Sequence, residues 1–283
     1  MEKIAVITGA DGGMGTEITR ALALAGHPIV MLCFDRERGE ACCRRLAEET
    51  GNRSMTVKQV DLSSMPSVRK VTDEILAEGR PIGWLMNNAG TMATSFQRTD
   101  EGFERTVAVN YLAPFLLTNR LLPLMDQGTR IVCMVSCTYA IGKLPDCFFT
   151  DGKEGAFWRI PIYSNTKLAL WLFARELSKR VASRGISVNA ADPGIVSTAI
   201  IRMDMWFDPL TDIFFRPFIR TPKQGAATAV HLLLDELPMS ETGQMYASCK
   251  QRRLKPIYLN HPQMDSLWND TAAYLEKHSG IQF

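Results

Sequence analysis

The fold is decided by residues 3–15, KIAVITGADGGMG. Residues 3–8 form a short apolar run rich in β-branched side chains, which is typical of a buried parallel strand. The glycines that follow lead into a helical pattern over residues 14–25, which ends at residues 26–28, GHP. Glycines let a backbone approach phosphate groups, and the free N–H groups of a helix N-terminus favour negative charge. We therefore expect a dinucleotide pyrophosphate to bind at this turn.

The alternation of strand and helix continues along the chain. Further strands are predicted near residues 29–33, 55–60, 82–86, 129–135, 186–191 and 243–248. Further helices are predicted near residues 36–49, 66–78, 100–125, 161–184 and 222–235. This rhythm predicts an α/β fold, a doubly wound parallel sheet of about seven strands with helices on both faces. Ligands of such sheets bind at the carboxyl ends of the strands.

Length and composition limit the possibilities further. The 283 residues fit one dinucleotide-binding α/β domain over residues 1–283, since such a domain takes about 250 residues and leaves a C-terminal extension near 250–283. A net charge of +2 gives no reason to expect a nucleic-acid partner. No stretch approaches the roughly 18 apolar residues of a membrane span, and the first strand begins almost at once. We expect no transmembrane segment and no signal peptide.

The cysteines point to a reducing compartment. The chain has seven, including the adjacent Cys42 and Cys43, and their spacing matches neither a metal site nor a disulfide framework. We therefore expect reduced thiols, no metal ion and a cytoplasmic protein.

A second informative pattern is YSNTK, residues 163–167. Tyr163 and Lys167 are four residues apart on a predicted helix, so their side chains share one face. A free phenol has a pKa of about 10. A neighbouring ammonium favours the phenolate, so we expect Lys167 to lower the pKa of Tyr163 towards the working range of an acid–base catalyst.

Together these patterns resemble the short-chain dehydrogenase/reductase family. The glycine turn has the spacing TGxxxGxG, and four further motifs follow in the family's order. They are Asp61 with Leu62, the NNAG of residues 87–90, Asn110 within VNY, and the PGIVST of residues 193–198. Within the family, the segments YLAPFLLT and TPKQGA and the insertion before Tyr163 are similar to retinol-dehydrogenase-like reductases.

The resemblance implies a Rossmann-type fold and hydride transfer between NAD(P)H and a carbonyl or alcohol carbon. Tyr163 would exchange the proton with the substrate oxygen, and Lys167 would also hold the nicotinamide ribose. Asn110 would anchor a water that relays protons. The cofactor contacts implied are Gly9, Asp11, Gly13, Met14, Gly15, Phe34, Asp35, Arg36, Asp61, Leu62, Asn88, Ala89, Gly90, Tyr163, Lys167, Pro193, Gly194, Val196 and Thr198.

The fourth catalytic position differs from the family pattern. The family usually has two adjacent serines at the end of the fifth strand, and the second one acts. Here Ser136 is followed by Cys137, whose thiol is a poorer hydrogen-bond donor than a hydroxyl. Either Cys137 takes the role, or Ser136 or Thr138 does. Strand alternation turns Ser136 away from the face of Cys137 unless the strand has already ended.

The choice between NAD and NADP depends on the end of the second strand. NAD enzymes of the family usually carry an aspartate there, and NADP enzymes an arginine one residue later. This chain has Cys33 and Phe34 at these places, followed by Asp35 and Arg36. Without a carboxylate at position 33, and with Arg38 also near, NADP is slightly favoured over NAD. Phe34 either stacks on the adenine or is buried in the core.

The substrate is predicted to be lipophilic. An apolar stretch near residues 199–220 includes Trp206 and Phe207 and lies where the family places its substrate lid. Such a lid favours a steroid, a retinoid, or an aldehyde or ketone. The same residues could instead pack on the protein body, on a partner in a homodimer or homotetramer, or on a membrane surface. The substrate contacts implied are Cys137, Thr138, Trp206 and Phe207.

Two other functions stay open at this point. The first is an NAD(P)-sensing binding protein whose catalysis is weakened at Cys137. The second is a reductase of an activated carbon–carbon double bond that uses the same tyrosine. Tyr163, Lys167 and Asn110 argue against a pure sensor, because sensing requires the glycine turn but not a proton relay.

Overall fold

The computed structural model describes residues 2–146, 148–149, 157–196, 220–238 and 240–279. The predicted lid near residues 199–220 lies outside the described residues except for Arg220. Thr198, Trp206 and Phe207 also lie outside them.

Within the described residues, eight strands form one sheet in the order β3-β2-β1-β4-β5-β6-β7-β8. The strands are β1 (Ile4–Thr8), β2 (Ile29–Cys33), β3 (Met55–Gln59), β4 (Ile82–Asn87), β5 (Met125–Met134), β6 (Ser187–Asp192), β7 (Met245–Ala247) and β8 (Lys250–Gln251). All neighbouring strands are parallel except β7 and β8. The strand order reverses at β1, as in a doubly wound sheet, which confirms the predicted fold class. The short β8 adds one strand to the seven expected.

Helices cover both faces of this sheet. They are α1 (Gly13–Leu24), α2 (Arg36–Thr50), α3 (Met65–Glu78), α4 (Arg105–Val107), α5 (Ala113–Leu121), α6 (Arg159–Arg180), α7 (Pro222–Leu234), α8 (Pro256–Leu259) and α9 (Met264–Ser279). A π-helical segment, Ala108–Leu112, joins α4 to α5, and a 3₁₀ helix, Cys137–Ile141, follows β5.

Each central strand is buried on both sides because its side chains alternate between two hydrophobic cores. In β1, Ile4 and Val6 belong to the core under α3, α5, α6 and α9. Ala5 and Ile7 belong to the core under α1, α2 and α7. This double burial explains why the strand appears in the sequence as an unbroken apolar run.

The predicted helix over residues 100–125 is shorter in the structure. Gly102 has a φ of +84° and forms a turn in which its N–H donates to the carbonyl of Thr99. The carboxylate of Glu104 then accepts from the N–H of Val107 and caps the helix, which begins at Arg105. The prediction missed this local turn.

The C-terminal extension contributes β8, α8 and α9. The ring of Trp268 on α9 lies 4.8 Å from that of Phe115 on α5 and 5.7 Å from that of Phe173 on α6. On α8, the backbone carbonyl of Tyr258 accepts from Trp171, and its hydroxyl donates to the carbonyl of Ala140 at 3.0 Å. The extension therefore supports α6 and the 3₁₀ helix after β5.

Candidate active site

The glycine turn after β1 is held by close backbone contacts. Gly9 has a φ of +60°, and Asn88 donates from Nδ2 to the carbonyls of Thr8 and Gly9 at 3.0 and 3.2 Å. A Cβ on Gly15 would lie 1.9 Å from the carbonyl oxygen of Gly9, so only glycine fits there. The side chain of Asn88 therefore holds the backbone of the turn in place.

The N-terminus of α1 is open at this turn. Gly13 and Met14 are its first residues, and the preceding Gly12 supplies no side-chain cap. Free N–H groups at the positive end of a helix dipole bind phosphates. These residues fit the pyrophosphate of a dinucleotide cofactor.

A cavity of about 200 Å³ lies beside the turn, at the carboxyl ends of the strands. Its lining combines residues that the sequence motifs predicted with others that they did not. The predicted ones are Gly9, Asp11, Phe34, Asp61, Leu62, Ala89 and Gly90. The missed ones are Leu32, Val60, Thr91, Arg105 and Val109. Val60 and Thr91 directly adjoin predicted motifs and could have been included on that ground, whereas nothing in the sequence marks Arg105.

Phe34 lies at the mouth of this cavity. Its side chain is 63% exposed, so the alternative that it is buried in the core is wrong. The preceding Cys33 is fully buried and packs against Gly39 of α2. Phe34 is therefore free to contact a ring bound in the cavity.

The charged residues after β2 do not all face the turn. The carboxylate of Asp35 accepts from the N–H of Arg38 at 3.0 Å and caps α2. Arg36 pairs with Glu40, Nε to Oε1, at 2.8 Å on the exposed side of α2. Arg38 instead pairs with Asp11 inside the glycine turn, with 3.0 Å between Nε and Oδ2. Of the two arginines, Arg38 and not the predicted Arg36 contacts the glycine turn, through Asp11, which lines the cavity.

Asp61 also lines the cavity. Its Oδ1 accepts from the N–H and the hydroxyl of Ser63 at 2.8 and 2.6 Å. Leu62 beside it belongs to the core. The backbone N–H of Ala89 donates to the hydroxyl of Thr8, which ties the NNAG turn to β1.

Lys167 is buried next to the NNAG turn, residues 87–90. Its Nζ donates to the carbonyl of Met134 at 2.9 Å and lies 5.5 Å from the ring centroid of Tyr163. A Cβ on Gly90 would be 3.3 Å from Nζ, so the NNAG turn closes directly over the ammonium. Only 3% of Lys167 is exposed, and this burial lowers its pKa to about 8.

Tyr163 does not have the lowered pKa that the sequence suggested. Burial raises its pKa to about 12, and a hydrogen bond with the hydroxyl of Ser136 opposes this only in part. The charges of Cys137 and Asp192 raise it further. The expectation that Lys167 lowers this pKa is therefore wrong in this structure, because the ammonium is turned to the carbonyl of Met134 and burial dominates.

Ser136 is the residue that faces the phenol of Tyr163. Strand β5 ends at Met134, so strand alternation no longer applies at Ser136, and the argument against this residue fails. Ser136 caps the 3₁₀ helix, and its Oγ accepts from the N–H and hydroxyl of Thr138 at 3.4 and 3.2 Å. Cys137 begins that helix with an exposed side chain.

Asn110 is fully buried in the π-helical segment. Its Oδ1 accepts from the N–H of Thr91 at 2.7 Å, and its Nδ2 donates to the carbonyl of Thr91 at 2.8 Å and to the hydroxyl of Thr166 at 3.1 Å. The amide therefore joins the loop after β4 to α6 and is committed to protein partners.

The segment after β6 returns to the start of α1. Gly194 has a φ of +74°, and its N–H donates to Oδ1 of Asp192 at 3.0 Å. A Cβ on Gly225 would lie 2.6 Å from Val196 and 3.0 Å from the sulfur of Met14. Val196 and Met14, in the first turn of α1, thus both pack on Gly225 of α7.

Over the described part of the chain, no group of three or more His, Cys, Asp and Glu side chains could hold a metal ion. In the same residues, no helix is both long and apolar enough to cross a membrane.

The short chain dehydrogenase family model matches residues 3–205. The chain belongs to this family. Human retinol dehydrogenase 12 is 35% identical over 269 residues, which cover 94% of this chain and 84% of the relative. A crystal structure of a protein from Mycobacterium Paratuberculosis superposes with a TM-score of 0.77 at 25% identity, covering 99% of this chain and 94% of the other. L-sorbose reductase from Gluconobacter frateurii, solved with NADPH and L-sorbose, has a TM-score of 0.70 at 25% identity and covers 87% of this chain and 94% of its own.

These comparisons confirm the family and the similarity to retinol dehydrogenases that the motifs indicated. The protein is an NAD(P)-dependent oxidoreductase that acts on alcohol or carbonyl groups.

Proposed function

We propose that this oxidoreductase uses NADP(H) and acts on lipophilic substrates, a retinoid, a steroid, or an aldehyde or ketone of similar character. The placement of Tyr163, with Nζ of Lys167 5.5 Å from its ring centroid, and of Ser136 just past the end of β5 carries the proposal, because it puts a proton donor near a hydroxyl that can orient a carbonyl oxygen. The similarity to retinol dehydrogenase 12 supports a lipophilic substrate.

In this proposal Tyr163 exchanges the proton of the substrate oxygen. Ser136 accepts hydrogen bonds from Thr138, so its own proton remains available for the phenol or the substrate oxygen. NADPH supplies the hydride. Cys137 and Thr138 would contact the substrate, and Trp206 and Phe207, which lie outside the described residues, stay predicted substrate contacts.

Lys167 and Asn110 support the proposed active site in different ways. Lys167 has a pKa near 8, so at neutral pH it is cationic and can bind the hydroxyls of the nicotinamide ribose. Asn110 joins the loop after β4 to α6 through Thr91 and Thr166, and the relay water that it would anchor stays a prediction.

Arg38 supports the preference for NADP. It lies beside the phosphate-binding turn with 64% of its side chain exposed, and its carboxylate partner within the described residues is Asp11. The carboxylate of Asp35 is engaged at Oδ1 as the N-cap of α2. Arg38 would bind the 2′-phosphate, since a guanidinium matches phosphate geometry. The NADPH complex of L-sorbose reductase is consistent with this preference.

The test is consumption of NADPH, and separately of NADH, with retinal, steroid ketones and aromatic aldehydes. We expect oxidation of NADPH with at least one lipophilic carbonyl. Arg38→Ala should raise KM for NADPH by tenfold or more, on the order of one charge-assisted contact, and leave NADH unchanged. The control is Arg36→Ala, since Arg36 pairs with Glu40 and does not reach the cavity.

Other outcomes select the alternatives. Tight NADPH binding without turnover across the panel would favour a cofactor sensor. Saturation of an enone with its carbonyl retained would indicate a double-bond reductase.

Three wider statements belong to the same proposal. A single catalytic domain over residues 1–283 agrees with the one sheet of the described residues. A cytoplasmic location agrees with the six described cysteines, all of which are free thiols. A homodimer or homotetramer stays a prediction that light scattering would test.

A further inference from the structure

Two arginines from distant parts of the chain converge on the turn that follows β6. Nη1 of Arg252 donates to Oδ2 of Asp192 at 2.8 Å, and the Asp192 side chain is only 3% exposed. Nη1 of Arg220 donates to the carbonyl of Pro193 at 3.1 Å. The guanidinium of Arg220 also covers Gly194, where an added Cβ would lie 3.0 Å from Nε. The turn at residues 193–194 is thus held by both side chains.

The hairpin between β7 and β8 positions both arginines. Ser248 and Cys249 have left-handed φ values of +52° and +58°, a conformation that non-glycine residues adopt only at some energetic cost. Nη2 of Arg220 donates to the hydroxyl of Ser248 at 2.8 Å, and the N–H of Cys249 donates to Thr228 of α7 at 3.2 Å. The N–H of Arg252 donates to the carbonyl of Met245 at 2.7 Å. These bonds fix the tight turn and place Arg252 beside Asp192.

The turn lies next to the reactive tyrosine. Strand β6 pairs with β5, which ends just before Ser136, and Asp192 is the last residue of β6. The carboxylate of Asp192 is close enough to raise the pKa of Tyr163. Arg252 and Asp192 also act on Tyr139 in opposite directions, which places both charges on this side of the site.

We propose that Arg252 is a positioning residue for hydride transfer: it neutralises the buried carboxylate of Asp192 beside Tyr163 and, with Arg220, holds the turn at residues 193–194 against the cofactor. This inference rests on the proposed function, because it assigns that turn to the nicotinamide end of the site.

The charged and titratable groups around Tyr163 determine the sign of the effect. They are Cys137 from the 3₁₀ helix, Lys167 from α6 and Asp192 from β6. Loss of Arg252 leaves the charge of Asp192 uncompensated and raises the pKa of Tyr163. Replacement of Asp192 by asparagine removes that charge and lowers the pKa, while its amide oxygen can still accept from the N–H of Gly194.

The experiment measures carbonyl reduction against pH for the wild type, Arg252→Gln, Asp192→Asn and the control Arg253→Gln. Tyr163 gives up a proton during reduction, so the rate falls as pH approaches its pKa of about 12, above the fall near pH 8 that loss of the Lys167 charge produces in all the proteins compared. We expect the fall set by Tyr163 to move up by roughly half a pH unit in Arg252→Gln and down by a similar amount in Asp192→Asn. KM for NADPH should rise about tenfold in Arg252→Gln, and Arg252→Lys should recover part of it. Arg253→Gln should match the wild type.

Shifts in the same direction for both variants, or no shift in variants that stay folded, would overturn the proposal. If Arg252→Gln does not fold, the proposal is decided by Asp192→Asn alone, for which the pH at which the rate falls should move down. NADPH binding, followed by fluorescence, separates this proposal from the proposed function. A wild type that binds NADPH without turnover contradicts the reductase function, whereas unchanged NADPH binding in Arg252→Gln contradicts the proposal that Arg252 holds the turn at residues 193–194 against the cofactor.

Discussion

At the scale of single residues, the site depends on where β5 ends. Had the strand continued to residue 136, its alternation would have turned Ser136 away from Tyr163. The strand stops at Met134, and a 3₁₀ helix capped by Ser136 begins instead. Sequence reasoning proposed Ser136, Cys137 and Thr138 for the fourth catalytic position but could not decide between them. The end of a strand is set by tertiary contacts that no local pattern shows.

Ser136 and Cys137 are expected to differ sharply when mutated. Ser136→Ala should lower kcat on the order of a hundredfold, the usual effect of losing a donor to a developing oxyanion. Cys137→Ala should stay within a fewfold of the wild type, because its exposed thiol does not hold the phenol. Steady-state kinetics with one carbonyl substrate would decide, and a greater loss for Cys137→Ala would reverse the assignment.

Lys167 makes the stability of the protein depend on pH. Its pKa is about 8 in the folded protein against 10.5 for a free lysine, so between these values the unfolded chain binds more protons. Stability from this residue therefore rises as pH increases from about 8 to 10.5 and is lowest below pH 8.

Lys167→Met should accordingly be more stable than the wild type at pH 7, on the order of 2–3 kcal/mol. The difference should shrink above pH 8, when the wild-type lysine loses its proton on folding. Urea unfolding of both proteins at pH 7 and pH 9.5 measures this difference in the free energy of unfolding. A constant difference across that range would show that the burial of Lys167 does not control its charge.

At the scale of elements, the sequence predicted what periodicity and turn chemistry determine locally. The strand, glycine turn and helix of residues 3–24 follow from an apolar run and from glycines that the close approach of Gly15 to Gly9 requires. The helix expected from residue 100 failed because a turn at Gly102 and a cap at Glu104 delay it.

The C-terminal helix α9 is expected to contribute strongly to stability. Trp268 packs against Phe115 and Phe173, and the guanidinium of Arg180 lies 4.2 Å from its ring centroid. Trp268→Ala should lower the free energy of unfolding by about 2–3 kcal/mol. Trp158→Ala is the matched control, because that ring is 72% exposed and should cost little. Equal losses in thermal or urea unfolding would contradict this account of α9.

At the scale of the whole molecule, the site is assembled from contacts across long distances in the chain. The motifs predicted the glycine turn for the cofactor and the pair Tyr163 and Lys167, because each is a local pattern with its own chemistry. The pairing of Arg38 with Asp11 and of Arg252 with Asp192 could not be foreseen, because it depends on which loops the parallel sheet brings side by side.

Tyr163→Phe tests the central claim, that Tyr163 exchanges the substrate proton in a cofactor site built by the rest of the fold. The measurement is a single turnover of pre-bound NADPH with the best carbonyl of the panel, together with the NADPH dissociation constant. We predict unchanged NADPH binding and a rate lowered by roughly a hundredfold to ten-thousandfold, the usual contribution of a general acid. A Phe variant that binds NADPH and reduces the carbonyl at the wild-type rate would contradict the account.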